Sequence, residues 1–574
     1  MLHDIRLVIW DLDETFWDGT LTEGGIVYSP DRHGIVVELT RRGIMNSICS
    51  RNDPAAVEPI LRDHGIWDYF IFPSIDWSGK PERLAAIVQA AQLRPETVLF
   101  VDDNPGNRAQ AEALLPGLNV VDETAIAGFL ADPAFAGKPD PALSRLQQYK
   151  LLEARHQDMR AVGSQGADFL RQSRIEVSIL YDIETHIDRA VELVNRTNQL
   201  NFTKRRLPED RTAAAAALLE QIAPFHARAG LVHVRDRYGD YGICGIFVVY
   251  GITAWGRPQL VHFAFSCRTL GMGVEQWVYD LLGRPDIAIV GEVLSELPGA
   301  VDWIQAGSGP QATAPETARP FGEVRIRGGC ELEVIEHFFR AQARAVMTEF
   351  IAMREYLYIP RHTSLLLDQT AGGLDETATA LVRELGMGAD FHETRLFDAC
   401  DDGTLIIFSP SGDASLTPYR HTATGFECLP WLREPLLPNH VGRTAAQAAE
   451  YERVTALLER DYTPLGYDDT DKYFACYSRI LARIPANAFF LIILPNKTMN
   501  LNGIASEYAQ QIALNEVFRS AAKPYPNVDF VELSALVNGV EDIEGGGHLH
   551  FNRAVYFRLF EDISTRYRRW MVAR

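Results

Sequence analysis

The stretch Leu7-Val8-Ile9-Trp10-Asp11-Leu12-Asp13-Glu14-Thr15 decides the fold of the chain. Its apolar start predicts a short strand that is buried on both faces of a parallel sheet. In such sheets ligands bind at the carboxyl ends of the strands, where Asp11 and Asp13 follow. Two carboxylates at this spacing repel each other unless a cation lies between them, and Mg²⁺ is the hard cation that prefers oxygen ligands. The stretch therefore predicts an α/β fold with a magnesium site.

Composition limits the classes of partner. The chain has 574 residues, which suggests roughly three to four domains at about 150 residues each. A net charge of −21 argues against nucleic acid as a bulk partner. No apolar run is long enough for a membrane span and no signal-peptide pattern is present, so we expect no membrane partner. Seven scattered cysteines without a CxxC pair predict reduced thiols, no zinc site and a cytoplasmic location.

Three more turns that lead into helices, called corners below, are predicted in the first 105 residues. In each corner a proline takes a first helical position, and Asp53 and Asn104 are suitable N-caps. Free backbone N–H groups at such corners suit a phosphate. The corners are Ser50-Arg51-Asn52-Asp53-Pro54 after a strand at Met45–Cys49, Trp77-Ser78-Gly79-Lys80-Pro81 opening a helix at Pro81–Gln92, and Asp102-Asp103-Asn104-Pro105 after a strand at Val98–Val101.

These corners resemble the four motifs of the haloacid dehalogenase (HAD) superfamily, in order. The motifs are Asp11-x-Asp13-x-Thr15, Ser50, Lys80 and Asp102-Asp103. The resemblance implies a HAD Rossmann-like phosphatase domain at residues 1–145. The gaps between the motifs are too short for a large cap domain, so we expect an open site that admits a bulky substrate or the arm of a partner.

The resemblance also implies a role for each motif residue. Asp11 is the nucleophile that takes the phosphoryl group, and Asp13 protonates the leaving oxygen and then activates water. Lys80 neutralises charge so that one anion can attack another. The predicted phosphate-binding residues are Thr15, Ser50, Asn52 and Lys80, and the predicted Mg²⁺ ligands are Asp11, Asp13, Asp102 and Asp103.

A second unit is predicted at residues 146–335, after Pro139-Asp140-Pro141. Its last strand leads into Ser266-Cys267-Arg268-Thr269-Leu270-Gly271-Met272-Gly273-Val274 and then a helix. This Arg-x-x-Gly-x-Gly pattern resembles the pyrophosphate loop of GNAT-type acyltransferases. Small residues let the backbone approach the phosphates of coenzyme A or phosphopantetheine, and the helix N-terminus supplies N–H donors. The predicted strands are Leu231–Val234, Ile243–Tyr250 and Gln259–Phe265, and Ile187, Ala190, Val191 and Val194 show helical spacing.

Several stretches between residues 5 and 325 resemble the FkbH-like family. They are Thr197–Thr203, Asp236–Gly242, Ser266–Arg268 and the corners at Cys49–Asp53 and Asp102–Pro105, with Arg51 where the family more often has lysine. The resemblance implies that a glyceryl unit is captured from 1,3-bisphosphoglycerate, a phosphorylated C3 metabolite, and dephosphorylated. The unit then passes to the phosphopantetheine thiol of an acyl carrier protein for polyketide-type biosynthesis.

Cys267 is the candidate for a transient thioester in that scheme, because a thiolate attacks acyl phosphates readily. The alternative is a small buried residue at a strand end. His233, Asp236 and His262 are further candidates to position or deprotonate a group, but the alternation around His262 favours a core or surface histidine. The remaining predicted acyl-site residues are Asn198, Gln199, Asp240, Arg268, Gly271 and Gly273, where Asn198 and Gln199 either bind the glyceryl hydroxyls or cap the preceding helix.

Residues 340–574 predict a third α/β unit whose order resembles the flavodoxin-like SGNH hydrolases. Gln369 or Thr370 stands where that family has its serine, and no aspartate lies three residues before His548 or His550. We therefore favour a scaffold that binds a carrier protein over Ser–His chemistry. The predictions are a connecting helix at Phe338–Tyr358, strands at Ser364–Leu367, Thr404–Phe408, Phe489–Leu494 and Val528–Leu533, and helices at Ala445–Asp461, Lys472–Arg483, Glu507–Ser520 and Arg553–Thr565.

The predicted function is a bifunctional, Mg²⁺-dependent HAD-type phosphatase and glyceryl transferase. One alternative is the loading of another hydroxyacyl group, such as lactyl. A second is a HAD phosphatase fused to an acyl-CoA-dependent N-acyltransferase. A non-catalytic docking scaffold fits the third unit but not the complete set of four motifs.

Overall fold

The chain divides into two compact units in a computed structural model. Unit 1 comprises Met1–Ile175 and Arg235–Tyr241, and unit 2 comprises Glu176–Val234 and Gly242–Arg574. The three predicted domain ranges remain predictions. The structure describes residues 4–162, 167–251, 257–307, 320–350, 352–353, 357–359, 364, 367–368, 374–387, 394–413, 417–428, 431–432, 445–465, 470–501, 503–544 and 549–574.

Unit 1 contains a parallel five-stranded sheet in the order β3-β2-β1-β4-β5. Strand β1 is fully buried and pairs with β2 on one side and β4 on the other, as its apolar sequence predicts. The chain order therefore reverses beside β1, which is where α/β sheets bind ligands. The strands are β1 (Leu7–Trp10), β2 (Met45–Ser50), β3 (Ser74–Ile75), β4 (Val98–Val101) and β5 (Asn119–Val121).

The helices of unit 1 begin as their capping residues predict. Asp53 accepts a hydrogen bond from Ala55 N at the start of α2, and Asn104 accepts from Gly106 N at the start of α4. The helices are α1 (Pro30–Arg41), α2 (Pro54–Asp63), α3 (Lys80–Ala90), α4 (Pro105–Leu114), α5 (Ser144–Val162) and α6 (Ala167–Ser173), with 3₁₀ turns at Trp67–Tyr69, Pro95–Thr97, Glu123–Ala131 and Pro133–Phe135.

A six-stranded sheet follows in the order β10-β9-β8-β7-β6-β11. Strands β8 and β9 are antiparallel, with an irregularity beside Val248, while β9 and β10 are parallel. The elements are β6 (Ile175–Leu180), α7 (Ile187–Arg196), α8 (Arg211–Ile222), β7 (Ala227–Asp236), β8 (Gly239–Tyr250), β9 (Gln259–Phe265), a 3₁₀ turn at Cys267–Thr269, α9 (Val274–Leu281), β10 (Asp286–Ile287) and β11 (Ile304–Ala306).

The last large sheet is parallel and has the order β13-β12-β16-β21-β24. Its strands are β12 (Phe321–Arg327), β13 (Ala343–Glu349), β16 (Leu405–Phe408), β21 (Phe489–Leu494) and β24 (Val528–Glu532). Short strands complete the region: β14 (Ala352–Met353), β15 (Leu357–Ile359), β17 (Tyr419–His421), β18 (Glu427–Cys428), β19 (Trp431–Leu432), β20 (Tyr462–Pro464), β22 (Thr498–Leu501), β23 (Ile504–Glu507), β25 (Ile543–Glu544) and β26 (His550–Phe551).

The helices around this sheet agree with the sequence except near its start. They are α10 (Cys330–Arg340), α11 (Glu376–Glu384), α12 (Ala445–Asp461), α13 (Thr470–Ala482), α14 (Ala509–Ala522) and α15 (Arg553–Val572), with 3₁₀ turns at Leu533–Ala535 and Val540–Asp542.

Two predictions near the start of this region are wrong. The expected connecting helix at Phe338–Tyr358 is the end of α10 followed by strand β13 and short strands. The expected strand at Ser364–Leu367 is helical at its described residues, Ser364 and Leu367. The sheet instead starts with β12, which lies inside the range assigned to the second domain. No helix in the described ranges combines the length and apolar character that crossing a membrane requires.

Candidate active site

The candidate active site lies at the carboxyl end of the unit 1 sheet. Asp11 directly follows β1, and its backbone N–H donates to Val101 O at the end of β4, 2.9 Å away. Asp102 directly follows β4, so two carboxylates are brought together by neighbouring parallel strands. Asp11 is 7% exposed and Asp102 is fully buried. Such acids are stable in this setting only with a charged partner.

Lys80, the first residue of α3, is the charged partner of Asp11 and Asp102. Its Nζ lies 2.8 Å from Asp11 Oδ2 and 2.6 Å from Asp102 Oδ2, and the side chain is 2% exposed. Burial raises the pKa of Asp11 to about 6, and Asp102 adds to this while Lys80 opposes it. Burial lowers the pKa of Lys80, but Asp11 and Asp102 together raise it above its usual value. Lys80 is therefore a fixed cation at the centre of the site.

The fourth motif is held by backbone and amide donors. Thr15 Oγ1 accepts from Asp103 N at 3.0 Å, which ties the first motif to the fourth. Asp102 Oδ1 accepts from Asn104 N at 2.9 Å, and Asn107 Nδ2 lies 3.1 Å from each oxygen of the same carboxylate. Burial raises the pKa of Asp103, with Asp102 adding to the effect. The local folding of this corner thus fixes the orientation of both acids.

Asp13 is oriented differently from Asp11. Its Oδ1 accepts from Trp17 Nε1 at 2.8 Å and from Leu21 N at 3.1 Å, and its Oδ2 accepts from Asn52 Nδ2 at 3.0 Å. Three donors from the protein hold the carboxylate in one position. This arrangement suits a group that exchanges a proton with a substrate more than a side-chain metal ligand.

Ser50 and Asn52, which are predicted to bind phosphate, lie next to each other at the end of β2. Asn52 Nδ2 lies 3.3 Å from Ser50 Oγ, and both residues are buried. Asn52 Oδ1 is buried without a hydrogen-bond partner among the described residues. Arg83, which the sequence analysis missed, donates from Nη2 to Ser50 O at 2.9 Å and supports this corner. An unpaired buried oxygen beside a carboxylate is the kind of acceptor that a bound group satisfies.

Three carboxylates fit a metal ion. Asp11, Asp102 and Asp103 each offer one oxygen, and these oxygens lie within 4.8 Å of one another. Hard oxygen donors of this kind suit Mg²⁺, which agrees with the cofactor expected from the sequence. The predicted fourth ligand, Asp13, is not part of this cluster. When bound, Mg²⁺ would neutralise charge on a phosphoryl group held beside Asp11.

The predicted acyl loop lies in unit 2. Cys267 is half-buried in the 3₁₀ turn that follows β9, and Ser266 Oγ accepts from Arg268 Nε at 3.1 Å. Gly271 and Gly273 have φ values of +73° and +78°, which favour glycine. A Cβ on Gly273 would also lie 3.1 Å from Trp303. The loop therefore needs glycine at both predicted positions.

The predicted residues Asn198 and Gln199 lie beside this loop. Phe265 N, at the end of β9, donates to Leu200 O at 2.9 Å, so the stretch runs along the strand that precedes Cys267. Asn198 Oδ1 accepts from Arg206 Nη2, and Gln199 O accepts from Leu294 N at 2.9 Å. The structure thus brings Asn198 and Gln199 towards the acyl loop through the backbone.

Several of the other acyl-site candidates have structural partners. His262 is 2% exposed and its Nε2 lies 2.8 Å from Gln221 Oε1, and burial lowers its pKa to about 4. It is a buried core histidine, as its position in the strand predicts. His233 is also buried. Asp236 accepts from Tyr241 Oη at 3.0 Å, and Asp240 is exposed. Both acids are grouped with unit 1.

The SGNH-like positions are described only in part. Gln369, Thr370 and His548 lie outside the described residues. The ring of His550 stacks on Phe225 with 4.1 Å between ring centroids, and burial lowers the pKa of His550. His550 therefore has a packing role as part of the hairpin of β25 and β26.

Asn107 and Arg83 are two of the supporting residues that the motif pattern did not predict. Asn107 stands three residues after the cap Asn104. Its position on the first turn of α4, close to Asp102, could therefore have been predicted from the sequence. Arg83 stands three residues after Lys80 on α3. Its contact with Ser50 depends on the packing of α3 against β2, which no local pattern reveals.

Part of the chain is similar to solved phosphatase structures. One is the amino-terminal part of a Bacteroides fragilis protein that contains a phosphatase domain complexed with Mg, at 23% identity and a TM-score of 0.21. That match covers 24% of this chain and 41% of the other, so the chain spans less than half of that structure.

Two further matches are octulosonate 8-phosphate phosphatases. The Haemophilus influenzae enzyme, in a cobalt-bound form, is 18% identical over 27% of this chain and 92% of its own, with a TM-score of 0.18. The Moraxella catarrhalis enzyme, in complex with magnesium and phosphate ions and its sugar, is 13% identical over 28% and 95%, also with a TM-score of 0.18. No protein-family model and no curated protein matches the chain significantly.

Removing the metal should abolish phosphate release. Three carboxylates share a space with the buried ammonium group of Lys80, so a divalent ion is needed before a phosphoryl anion can approach Asp11. We expect excess EDTA to reduce hydrolysis of p-nitrophenyl phosphate by about a hundredfold or more, and added Mg²⁺ to restore it. Undiminished turnover in EDTA would contradict the metal assignment.

Proposed function

We propose that the protein is a Mg²⁺-dependent phosphatase and glyceryl transferase that loads an acyl carrier protein for polyketide-type biosynthesis. The observation that carries the phosphatase half is the position of Lys80 Nζ, 2.8 Å from Asp11 and 2.6 Å from Asp102. The sequence resemblance to the FkbH-like family supports the transfer half. The proposed substrates are 1,3-bisphosphoglycerate and the phosphopantetheine thiol of the carrier.

In the phosphatase step, a carboxylate oxygen of Asp11 attacks phosphorus and the bond from phosphorus to the leaving oxygen breaks. Asp13, which Trp17 and Asn52 hold in place, gives its proton to that oxygen. Asp13 then takes a proton from water, whose oxygen attacks the phosphoryl group and frees Asp11. Lys80 and Ser50 bind the phosphoryl oxygens through both halves of the step.

In the transfer step, the Cys267 thiolate attacks the acyl phosphate carbon of the substrate, and the phosphate on that carbon leaves. The second phosphate is hydrolysed at Asp11. The pantetheine thiol then attacks the thioester carbonyl, which returns the thiol to Cys267 and leaves glyceryl on the carrier. One substrate, one carrier thiol and one water thus give one glyceryl thioester and two phosphates. The positive-φ glycines after Arg268 give the backbone room for the arm.

Intact-mass analysis of the carrier tests the whole proposal. The assay contains the full chain, phosphopantetheinylated carrier, Mg²⁺ and 1,3-bisphosphoglycerate. We expect a carrier heavier by one glyceryl group. A carrier that retains the phosphate would contradict the coupling of the two steps. Phosphate release with an unmodified carrier would reduce the protein to a phosphatase.

The carboxyl-terminal sheet should not act as an esterase. Gln369 cannot attack an ester, the methyl group of Thr370 restricts attack, and His550 is stacked on Phe225. We expect no turnover of short acyl esters by the isolated segment 340–574 or by the full chain. The full chain is the decisive sample, because a fragment that begins at residue 340 lacks strand β12 of the same sheet.

Deleting 340–574 should lower carrier loading more than surrogate phosphate hydrolysis.

Variants of the full chain complete that test. Esterase turnover that disappears in Thr370→Ala or His550→Ala would make the protein a three-activity enzyme. His421→Ala is the matched control, because this histidine lies in another small sheet, whose strands are β17, β18 and β20.

A further inference from the structure

Unit 2 contains a pocket of about 360 Å³ that none of the steps above uses. It is lined by residues from the start of β7, the approach to β9, the turn after α9 and the end of α10. Four of the eight lining residues are arginines and none is acidic. The lining residues are Arg228, Arg257, Pro258, Leu282, Gly283, Arg284, Pro285 and Arg340.

Arg228 is the most deeply buried of the four arginines. The residue is only 7% exposed, and its Nε has no hydrogen-bond partner among the described residues. Its Nη2 donates a long hydrogen bond to Gly251 O, at 3.4 Å. Glu333 and Glu336 act on it electrostatically, but Glu336 is already paired with Arg340. A buried guanidinium with an unused donor is costly unless something accepts from it.

Within the described part of the chain, each of the other three arginines forms an ion pair with one carboxylate. Arg284 Nε lies 2.6 Å from Asp280, Arg340 Nη2 lies 2.6 Å from Glu336, and Arg257 Nε lies 3.1 Å from Asp286. Each guanidinium has five N–H donors in a planar fork, so these pairs leave donors for a ligand. The partners also hold the side chains in position, which lowers the entropy cost of binding.

The four arginines differ in exposure, with Arg228 the least and Arg257 the most exposed. Arg284 and Arg340 are each 38% exposed, and Arg257 is 68% exposed. Gly283 has a φ of +76° and lies so that a Cβ would come within 3.5 Å of Arg340 Nη1. The glycine therefore brings the backbone turn close to this guanidinium.

The pocket is separate from the acyl loop. Pro258 directly precedes β9, whereas Cys267 and Arg268 come after its other end. Seven residues of strand separate the two positions by roughly 20 Å. A pantetheine arm held by the loop therefore does not explain the arginines.

We propose that this pocket binds a multiply charged phosphate-bearing anion, such as a diphosphate group or a phosphate monoester. Converging guanidinium forks match the geometry of phosphate oxygens, and Arg228 supplies the buried donor that a bound anion satisfies. The pocket volume suits a small ligand. Pro258, Leu282 and Pro285 contribute apolar surface to the lining of the pocket.

Titration calorimetry of the full-length protein with pyrophosphate tests this site. EDTA is present, so that Mg²⁺ neither binds the probe nor loads the phosphatase site. We expect wild-type protein to bind pyrophosphate, and inorganic phosphate more weakly. Arg228→Gln should weaken pyrophosphate binding by about tenfold or more, because a charge-assisted pair is lost.

Arg257→Glu is the second variant, because the side chain is 68% exposed and the substitution replaces a positive charge of the pocket with a negative one. It should also weaken pyrophosphate binding, while hydrolysis of p-nitrophenyl phosphate stays at the wild-type rate. Arg460→Gln is the matched control, since that arginine is exposed and pairs with the adjacent Asp461. The site is overturned if wild-type protein does not bind millimolar pyrophosphate, if both pocket variants bind normally, or if the control loses affinity equally. Succinate bound as tightly as pyrophosphate would overturn the ligand class.

Discussion

Asp11→Asn should reduce phosphate release by at least about a thousandfold, because an amide cannot attack phosphorus. The measurement is steady-state hydrolysis of p-nitrophenyl phosphate, followed by a search for phosphorylated protein by intact mass. The fold should remain intact, since Lys80 keeps its ion pair with Asp102 at 2.6 Å. Removing an acid whose pKa burial raises to about 6 takes away a costly charge.

Asp53→Asn is the matched control for this substitution. Asp53 caps α2 through Ala55 N and lies outside the three-carboxylate cluster, and asparagine caps a helix equally well. We expect the control to keep wild-type turnover and thermal stability. Undiminished phosphate release from the Asp11 variant would exclude Asp11 as the nucleophile.

The unit 1 site was the most predictable part of the chain, because short local sequence patterns mark its residues. A buried apolar strand followed by Asp11, and another followed by Asp102, fix both carboxylates at one sheet edge if the strands are parallel neighbours. Proline at the first helical turn and Asn104 at the cap mark where the helices begin. What the sequence could not give is that Asp13 is bound by Trp17, Leu21 and Asn52, because these contacts depend on side-chain geometry.

The start of the last sheet was the least predictable part. The segment around β13, Ala343–Glu349, is rich in residues that favour helices, yet it forms a strand because it pairs with β12 along its length. Tertiary pairing overrides local propensity in such a case. Strand β12, Phe321–Arg327, lies inside the predicted range of the second domain, and the sequence analysis predicts no strand there. The strand predicted at Ser364–Leu367 is helical at its described residues, Ser364 and Leu367.

The arginine pocket shows a different limit of sequence reasoning. Arg228, Arg284 and Arg340 are far apart in the sequence, and none stands in a motif. Their common position follows from how the turn after α9 and the end of α10 meet the strand edge. Only the burial of Arg228 and the lack of a partner for its Nε single out the pocket.

Cys267→Ala should abolish acyl loading of the carrier, by about a thousandfold or more, because no thiolate remains to form the thioester. Hydrolysis of p-nitrophenyl phosphate should stay at the wild-type rate, since Asp11 lies in unit 1 and Cys267 in unit 2. Arg268→Ala should weaken carrier use by about tenfold through loss of a charge-assisted phosphate contact, again with little effect on the surrogate. Intact mass of the carrier and release of p-nitrophenol measure the two activities.

Cys400→Ala controls for the removal of a half-buried thiol at a distant position in unit 2, and it should load the carrier normally.

Normal carrier loading by the Cys267 variant would also have a clear chemical meaning. If the Cys267 variant loads the carrier at the wild-type rate, the pantetheine thiol attacks the acyl phosphate directly. Cys267 is then a small residue that fills the space at the start of the 3₁₀ turn, without a covalent role in the transfer. Loss of loading together with loss of surrogate hydrolysis would instead indicate that the substitution disturbs the whole chain.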